Sequence, residues 1–245
     1  MSTTSRLQVF PDKSRLVEAA AHLAADLAAE AIAARGIFTI ALAGGSTPRP
    51  VYERLASPDL AGSIDWSRVH VFFGDERCVP PDDPQSNYRM AREAMLSRVP
   101  IPGENIHRIR GEDQPDLAAA EAERSLWGLS PDAVVPSLDL VLLGLGDDGH
   151  TASLFPGTAA LRETSKLVVP QYVDKLRCWR VTFTAALINA ARRVAFLVEG
   201  AGKSATLRAV TEGPYQPDVL PSQLVQPAGG VDWLVDVAAA SRLAQ

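Results

Sequence analysis

Between Leu138 and Leu143 the chain runs Leu-Asp-Leu-Val-Leu-Leu. It then breaks on Gly144-Leu145-Gly146-Asp147-Asp148-Gly149-His150-Thr151, followed by Ala152-Ser153-Leu154-Phe155-Pro156. An apolar run of strand length that stops on glycine fits a central parallel strand buried on both faces. The loop that follows then lies at the strand's carboxyl end, where open α/β sheets bind ligands. Gly144, Gly146 and Gly149 allow sharp turns and close approach to a ligand. His150 can serve as a base or acid near neutral pH, and Asp148 can orient the ring and favour its protonated form.

The spacing Gly144-x-Gly146-x-x-Gly149 matches a dinucleotide fingerprint, but Asp147 and Asp148 put negative charge where a pyrophosphate must lie, and Pro156 limits the next helix. That reading is rejected. A structural Gly-rich turn with a surface histidine is the plain alternative for Gly-Asp-Gly-His read by itself.

The pattern of buried strand and polar exit recurs. After Pro11-Asp12, Leu16, Val17, Ala20, Leu23, Ala24, Leu27, Ala28, Ala31 and Ile32 return at helical spacing up to Arg35, where Gly36 closes a helix. Strands are expected at 37–43, 69–73, 167–169, 179–184, 194–198 and 231–235. Helices are expected at 88–96, 116–129, 185–192 and 203–211, with a closing helix to Leu243. Such alternation implies a mostly parallel sheet flanked by helices on both faces, as one α/β domain over 1–245.

Four strand exits carry chemistry. At Gly44-Gly45-Ser46-Thr47-Pro48, Thr47 suits an N-cap and Pro48 the first helical position; free N–H groups and the two hydroxyls form a cradle for phosphate. A ligand-free turn is the alternative. Ser46 fails as a nucleophile because the elbow pattern breaks at Pro48. Asp75, Glu76 and Arg77 follow the strand at 69–73, either as a site or as a solvated turn. Arg180 has the fork of donors that suits phosphate, or else a surface salt bridge. Lys203 opens a helix at a fourth exit, but Gly202-Lys203-Ser204 is no P-loop, because its first glycine would fall on Leu197. His22 reads as a helix-surface residue and His70 as packed in a strand, while His107 has little around it.

A net charge of −5 without a Lys/Arg run offers no broad surface to nucleic acid, so an anionic ligand must meet a local positive site. Cys78 and Cys178 make neither a metal-ligand pair nor a disulfide framework, and a reducing cytoplasm is expected. The polar stretch 1–6 precedes no signal-type core, and no apolar run reaches membrane-spanning length. Neither membrane nor nucleic-acid partners are expected.

Over nearly its whole length the chain resembles the 6-phosphogluconolactonases, relatives of the glucosamine-6-phosphate deaminases. The resemblance is carried by Ala43-Gly44-Gly45-Ser46-Thr47-Pro48, Phe73-Gly74-Asp75-Glu76-Arg77, Ser86-Asn87-Tyr88, the run from Gly144 to Pro156, Arg180-Val181-Thr182 and Gly202-Lys203. The segment His150-Thr151-Ala152-Ser153-Leu154-Phe155-Pro156 favours the lactonase branch. The resemblance implies a deaminase-like α/β fold and a hydrolase without metal or cofactor; a monomer or small homo-oligomer is expected, the sequence leaving the choice open. The hydrolase would open 6-phospho-D-glucono-1,5-lactone to 6-phosphogluconate in the oxidative pentose phosphate pathway.

On that reading His150 is the general base that Asp148 orients, Asp75 supports the same network, and Arg77 neutralises charge on the carbonyl oxygen or holds the substrate. Gly44, Gly45, Ser46, Thr47, Asn87, Arg180 and Lys203 bind the substrate, chiefly through its phosphate. The run Lys175-Leu176-Arg177-Cys178-Trp179 departs from the family pattern, where prolines are frequent, and alters the pocket rim. A deaminase or isomerase and a non-catalytic sugar-phosphate sensor are the rival functions on this scaffold.

Overall fold

A computed structural model describes residues 5–129 and 133–244; the first four residues of the polar N-terminus lie outside it. Its strands are β1 (Arg6–Phe10), β2 (Phe38–Leu42), β3 (Val69–Phe73), β4 (Asp75–Arg77), β5 (Leu140–Gly144), β6 (Val168–Val173), β7 (Cys178–Phe183), β8 (Val194–Val198) and β9 (Val231–Asp236). Its helices are α1 (Lys13–Arg35), α2 (Arg49–Leu55), α3 (Pro58–Ala61), α4 (Asn87–Ala91), α5 (Pro115–Leu129), α6 (Ala185–Ala190), α7 (Ser204–Glu212) and α8 (Val237–Ala240). None is long and apolar enough to cross a membrane.

Six strands form an all-parallel sheet in the order β1-β9-β8-β5-β2-β3. Every residue of β2 and β8 is buried, as helices covering both faces require. Asp12 caps α1 by accepting from Arg15 N, and Gly36 ends it in the left-handed region at φ 81°. The helix packs on α2, β2, β9 and β1. From β2 the chain moves outward to β3 and then returns to the other side for β5, so the order reverses between β2 and β5. That reversal opens a crevice at the strands' carboxyl ends. Asp139, the one acid in the apolar run, closes the opposite end: it accepts from Thr39 N at 2.9 Å and Thr39 Oγ1 at 3.0 Å, and pairs with Arg35 at 2.6 Å.

Several expectations need correction. Strand β1 was not expected; four of its five residues are exposed, and it is held by parallel pairing to β9. A second, antiparallel sheet, β4-β7-β6, stands beside the first. Asp75–Arg77 is therefore a strand rather than a solvated turn, with Asp75 and Glu76 buried. The short strand at 167–169 extends to Val173, and α5 covers β6 and β7. The helix at 88–96 divides into α4 and a π-helical turn at Arg92–Leu96, while Lys203 closes a 3₁₀ turn ahead of α7. The closing helix shrinks to α8.

His107 also has more around it than expected. Its ring stacks on Phe72 with centroids 4.4 Å apart, and its Nε2 lies 3.1 Å from His70 Nδ1. Burial pushes both imidazoles below the ordinary value of 6.5, His107 to about 4 with His70 adding to the shift. An imidazole whose folded value is depressed contributes stability above its unfolded value and loses it as pH falls toward the folded one. Urea midpoints should therefore drop between pH 6.5 and 4, and the drop should be shallower in His107→Gln.

Candidate active site

The crevice holds a pocket of about 270 Å³ bordered by the chain leaving β2, β3, β5 and β8. Gly44, Gly45, Ser46, Thr47, Asp75, Arg77, His150, Arg180 and Lys203 line it together. Asp148 and Asn87 stand behind this lining. A larger cavity of about 390 Å³ lies against β1 and β9, but Leu7, Tyr215, Trp233 and neutral side chains dominate it, with Glu212 its lone carboxylate among the described residues.

The loop after β5 turns tightly. Gly146 N donates to His150 O at 2.8 Å, Gly149 N donates to Gly146 O at 3.0 Å, and Gly149 sits at φ 76°. The imidazole folds back over Gly146 so closely that a Cβ there would stand 2.0 Å from His150 Nδ1. Phe155 stacks on the ring at 4.1 Å. His150 Nδ1–H donates to Asp148 Oδ1 at 2.5 Å, and the Lys175 ammonium donates to Asp148 Oδ2. Burial raises the Asp148 carboxyl, but the bonds from Lys175 and His150 outweigh it and hold the group at about 2. An ionised carboxylate only accepts, so the neutral imidazole keeps its proton on Nδ1 and its lone pair on Nε2.

The second sheet supplies positive charge. Register places Arg77 opposite Arg180. The Nε of each is buried without a protein partner, although Arg77 Nη1 donates to Gln85 O and Arg180 Nη1 lies 3.9 Å from Asp75 Oδ2. Two guanidinium charges side by side at a pocket wall favour an anion there. Lys203 donates to Asp147 Oδ1 at 2.5 Å, a pair open to solvent on the Asp147 side. Thr47 makes no cap: α2 starts at Arg49 after Pro48, without a side-chain capping bond, and the Thr47 residue lies at the pocket instead.

Asp75 does not bond to the His150–Asp148 pair. Its Oδ2 accepts from Ser153 Oγ at 2.5 Å and its Oδ1 from Asn87 Nδ2 at 3.0 Å, which ties β4 to the histidine loop farther along. Asn87 is buried behind the Gly44 turn, where a Cβ on Gly44 would meet its Oδ1 at 1.9 Å. It shapes the cradle rather than lining it. Glu76 organises this region by accepting from Arg77 N, Asn87 N, Tyr88 N and Ser86 Oγ at 2.7–3.0 Å. Burial pushes its carboxyl up, while the backbone N–H bonds pull it back. Sequence reasoning missed Ser153, Glu76 and Lys175 as partners. Their residue types were visible, but no local spacing reveals a bond that only the folded chain brings together.

Residues 11–233 match the family described as glucosamine-6-phosphate isomerases/6-phosphogluconolactonase. A 6-phosphogluconolactonase of Nostoc sp. is 44% identical over 240 residues, covering 97% of this chain and 98% of that protein. The solved 6-phosphogluconolactonase of Trypanosoma brucei superposes with a TM-score of 0.87 at 31% identity, over 99% of this chain and 100% of that one. A monomeric glucosamine-6-phosphate deaminase superposes with a TM-score of 0.81 at 22% identity, over 97% and 99% of the two chains, a likeness of fold alone.

Gly146→Ala tests the packing of the ring. Its methyl group should displace the imidazole from Asp148, so the downfield Nδ1–H proton resonance is lost while the thermal midpoint changes by no more than a few degrees, roughly 1 kcal/mol.

Proposed function

The chain belongs to the glucosamine-6-phosphate isomerase/6-phosphogluconolactonase family, and we propose that His150 and Asp148 carry out its chemistry as a lactonase. It hydrolyses 6-phospho-D-glucono-1,5-lactone to 6-phosphogluconate in the oxidative pentose phosphate pathway. The observation that carries the mechanism is the His150–Asp148 bond, at a pocket that Arg77 and Arg180 also line.

A lactone is a cyclic ester, so water must lose a proton as it attacks the carbonyl carbon. His150 Nε2 takes that proton, and Asp148 stabilises the imidazolium that forms. The tetrahedral intermediate expels the ring oxygen, which recovers the proton from Nε2 and becomes a hydroxyl. Arg77, Arg180 and Lys203 hold the phosphate, with the Ser46 and Thr47 hydroxyls and the Gly44-Gly45 backbone completing the cradle. The exposed Asp147 carboxylate yields Lys203 to a phosphate at little cost. Anchoring the far end of the substrate turns binding energy into orientation at the carbonyl. The whole chain acts as one domain, and its free thiols, Cys78 and Cys178, support a reducing cytoplasmic setting.

Lactone opening must be measured against its spontaneous background. Wild type should accelerate it, and a folded His150→Ala should lose roughly 10²- to 10⁴-fold in turnover. No ammonia should appear from glucosamine 6-phosphate. A wild type that binds phosphosugars without accelerating lactone opening would overturn the hydrolase in favour of a sensor.

Arg180→Ala separates anchoring from chemistry. KM should rise by roughly tenfold or more, and the loss should be smaller for a lactone lacking the phosphate. Equal losses for both lactones would contradict a phosphate role.

A further inference from the structure

Both oxygens of Asp148 are in use. Oδ1 accepts from His150 Nδ1 and Oδ2 from Lys175. Lys175 arrives from another element, the 3₁₀ turn Asp174–Leu176 at the tip of the hairpin joining β6 to β7. Arg177 closes that turn in the left-handed region at φ 50°, with its N–H donating to Asp174 O at 3.1 Å. The ammonium also lies 4.7 Å from the centroid of Phe155, the ring on which His150 stacks. Lys175 thus touches two neighbours of the imidazole while standing outside the pocket lining.

We propose that Lys175 is a positioning residue for His150: its ammonium holds the Asp148 carboxylate toward Nδ1 and opposes a second positive charge on the ring, keeping Nε2 free to accept a proton. The proposal rests on the reading of His150 as general base. Asp148 alone would favour the imidazolium, and an imidazole that stays protonated cannot deprotonate water. A cation on the far oxygen offsets that pull without displacing the hydrogen bond.

The other carboxylates around His150 have partners of their own. Asp147 on the same loop binds Lys203, and Asp75 on β4 binds Ser153 and Asn87. Glu199, just beyond β8, pairs with Lys13. Arg77 and Arg180 face the pocket from β4 and β7. Among the described residues, Lys175 is the cation bonded to the histidine's own carboxylate. Its side chain is 53% exposed, so the pair matters little to folding and can be removed without unfolding the chain.

The test is an NMR titration of the His150 ring, alongside the pH profile of lactone hydrolysis, in wild type, Lys175→Met, Lys175→Arg and Asp148→Asn. In Lys175→Met the ring should titrate higher than in the wild type. Its kcat should fall several-fold at neutral pH and recover as pH rises, with KM little changed. Lys175→Arg keeps the charge and should restore the wild-type titration, whereas Asp148→Asn should move it lower. An unmoved or lowered titration in Lys175→Met would overturn the proposal, as would Lys175→Arg behaving like Lys175→Met. The ring is observed directly, so these outcomes are distinct from failure of the base reading itself, which would show as full lactonase activity in His150→Ala.

Discussion

An ionised carboxylate accepts hydrogen bonds and cannot donate them, and this rule decides which nitrogen of His150 carries a proton. The 2.5 Å contact from Nδ1 to Asp148 commits that nitrogen as donor and leaves the lone pair on Nε2. The commitment requires Asp148 to stay charged although it is partly buried, and Lys175 and His150 together secure that, holding it at about 2. It requires room for the ring as well, which the missing side chain of Gly146 provides. Phe155 then sets the plane of the imidazole by stacking.

The two sheets divide the remaining work. Reversal of strand order between β2 and β5 opens the crevice at the end where the strands exit. The antiparallel pairing of β4 with β7 sets Arg77 beside Arg180 across that crevice. Burying carboxylates next to such a wall is costly unless each oxygen finds a donor. Asp75 has Ser153 and Asn87, and Glu76 has a ring of backbone N–H groups. With the carboxylates satisfied internally, the guanidinium charges of Arg77 and Arg180 at the pocket are left to attract an anionic ligand.

The mostly parallel sheet was legible because its strands are short apolar runs ended by turn residues. Val69–Phe73 and Val194–Val198 fall where the pattern put them. The pocket was legible for a related reason: strand exits face one crevice, so polar groups at several exits meet. What escaped depends on pairing between distant segments. Asp75–Arg77 has no apolar pattern and becomes a strand through β7, while Arg6–Phe10 is exposed and becomes one through β9. Asn87 was visible within a motif, but its place behind Gly44 follows from Glu76 and Asp75. Lys175 stood in a run noted for its departure at the pocket rim, and the fold of the β6–β7 hairpin is what brings it to Asp148.

The tautomer of His150 is the most direct measurement of all this. In protein labelled with ¹⁵N at histidine, long-range correlations from the ring carbon protons identify the protonated nitrogen. The neutral ring should carry its proton on Nδ1, with Nε2 showing the shift of an unprotonated nitrogen. A neutral ring protonated on Nε2 would contradict the bond to Asp148 and remove the lone pair that hydrolysis needs.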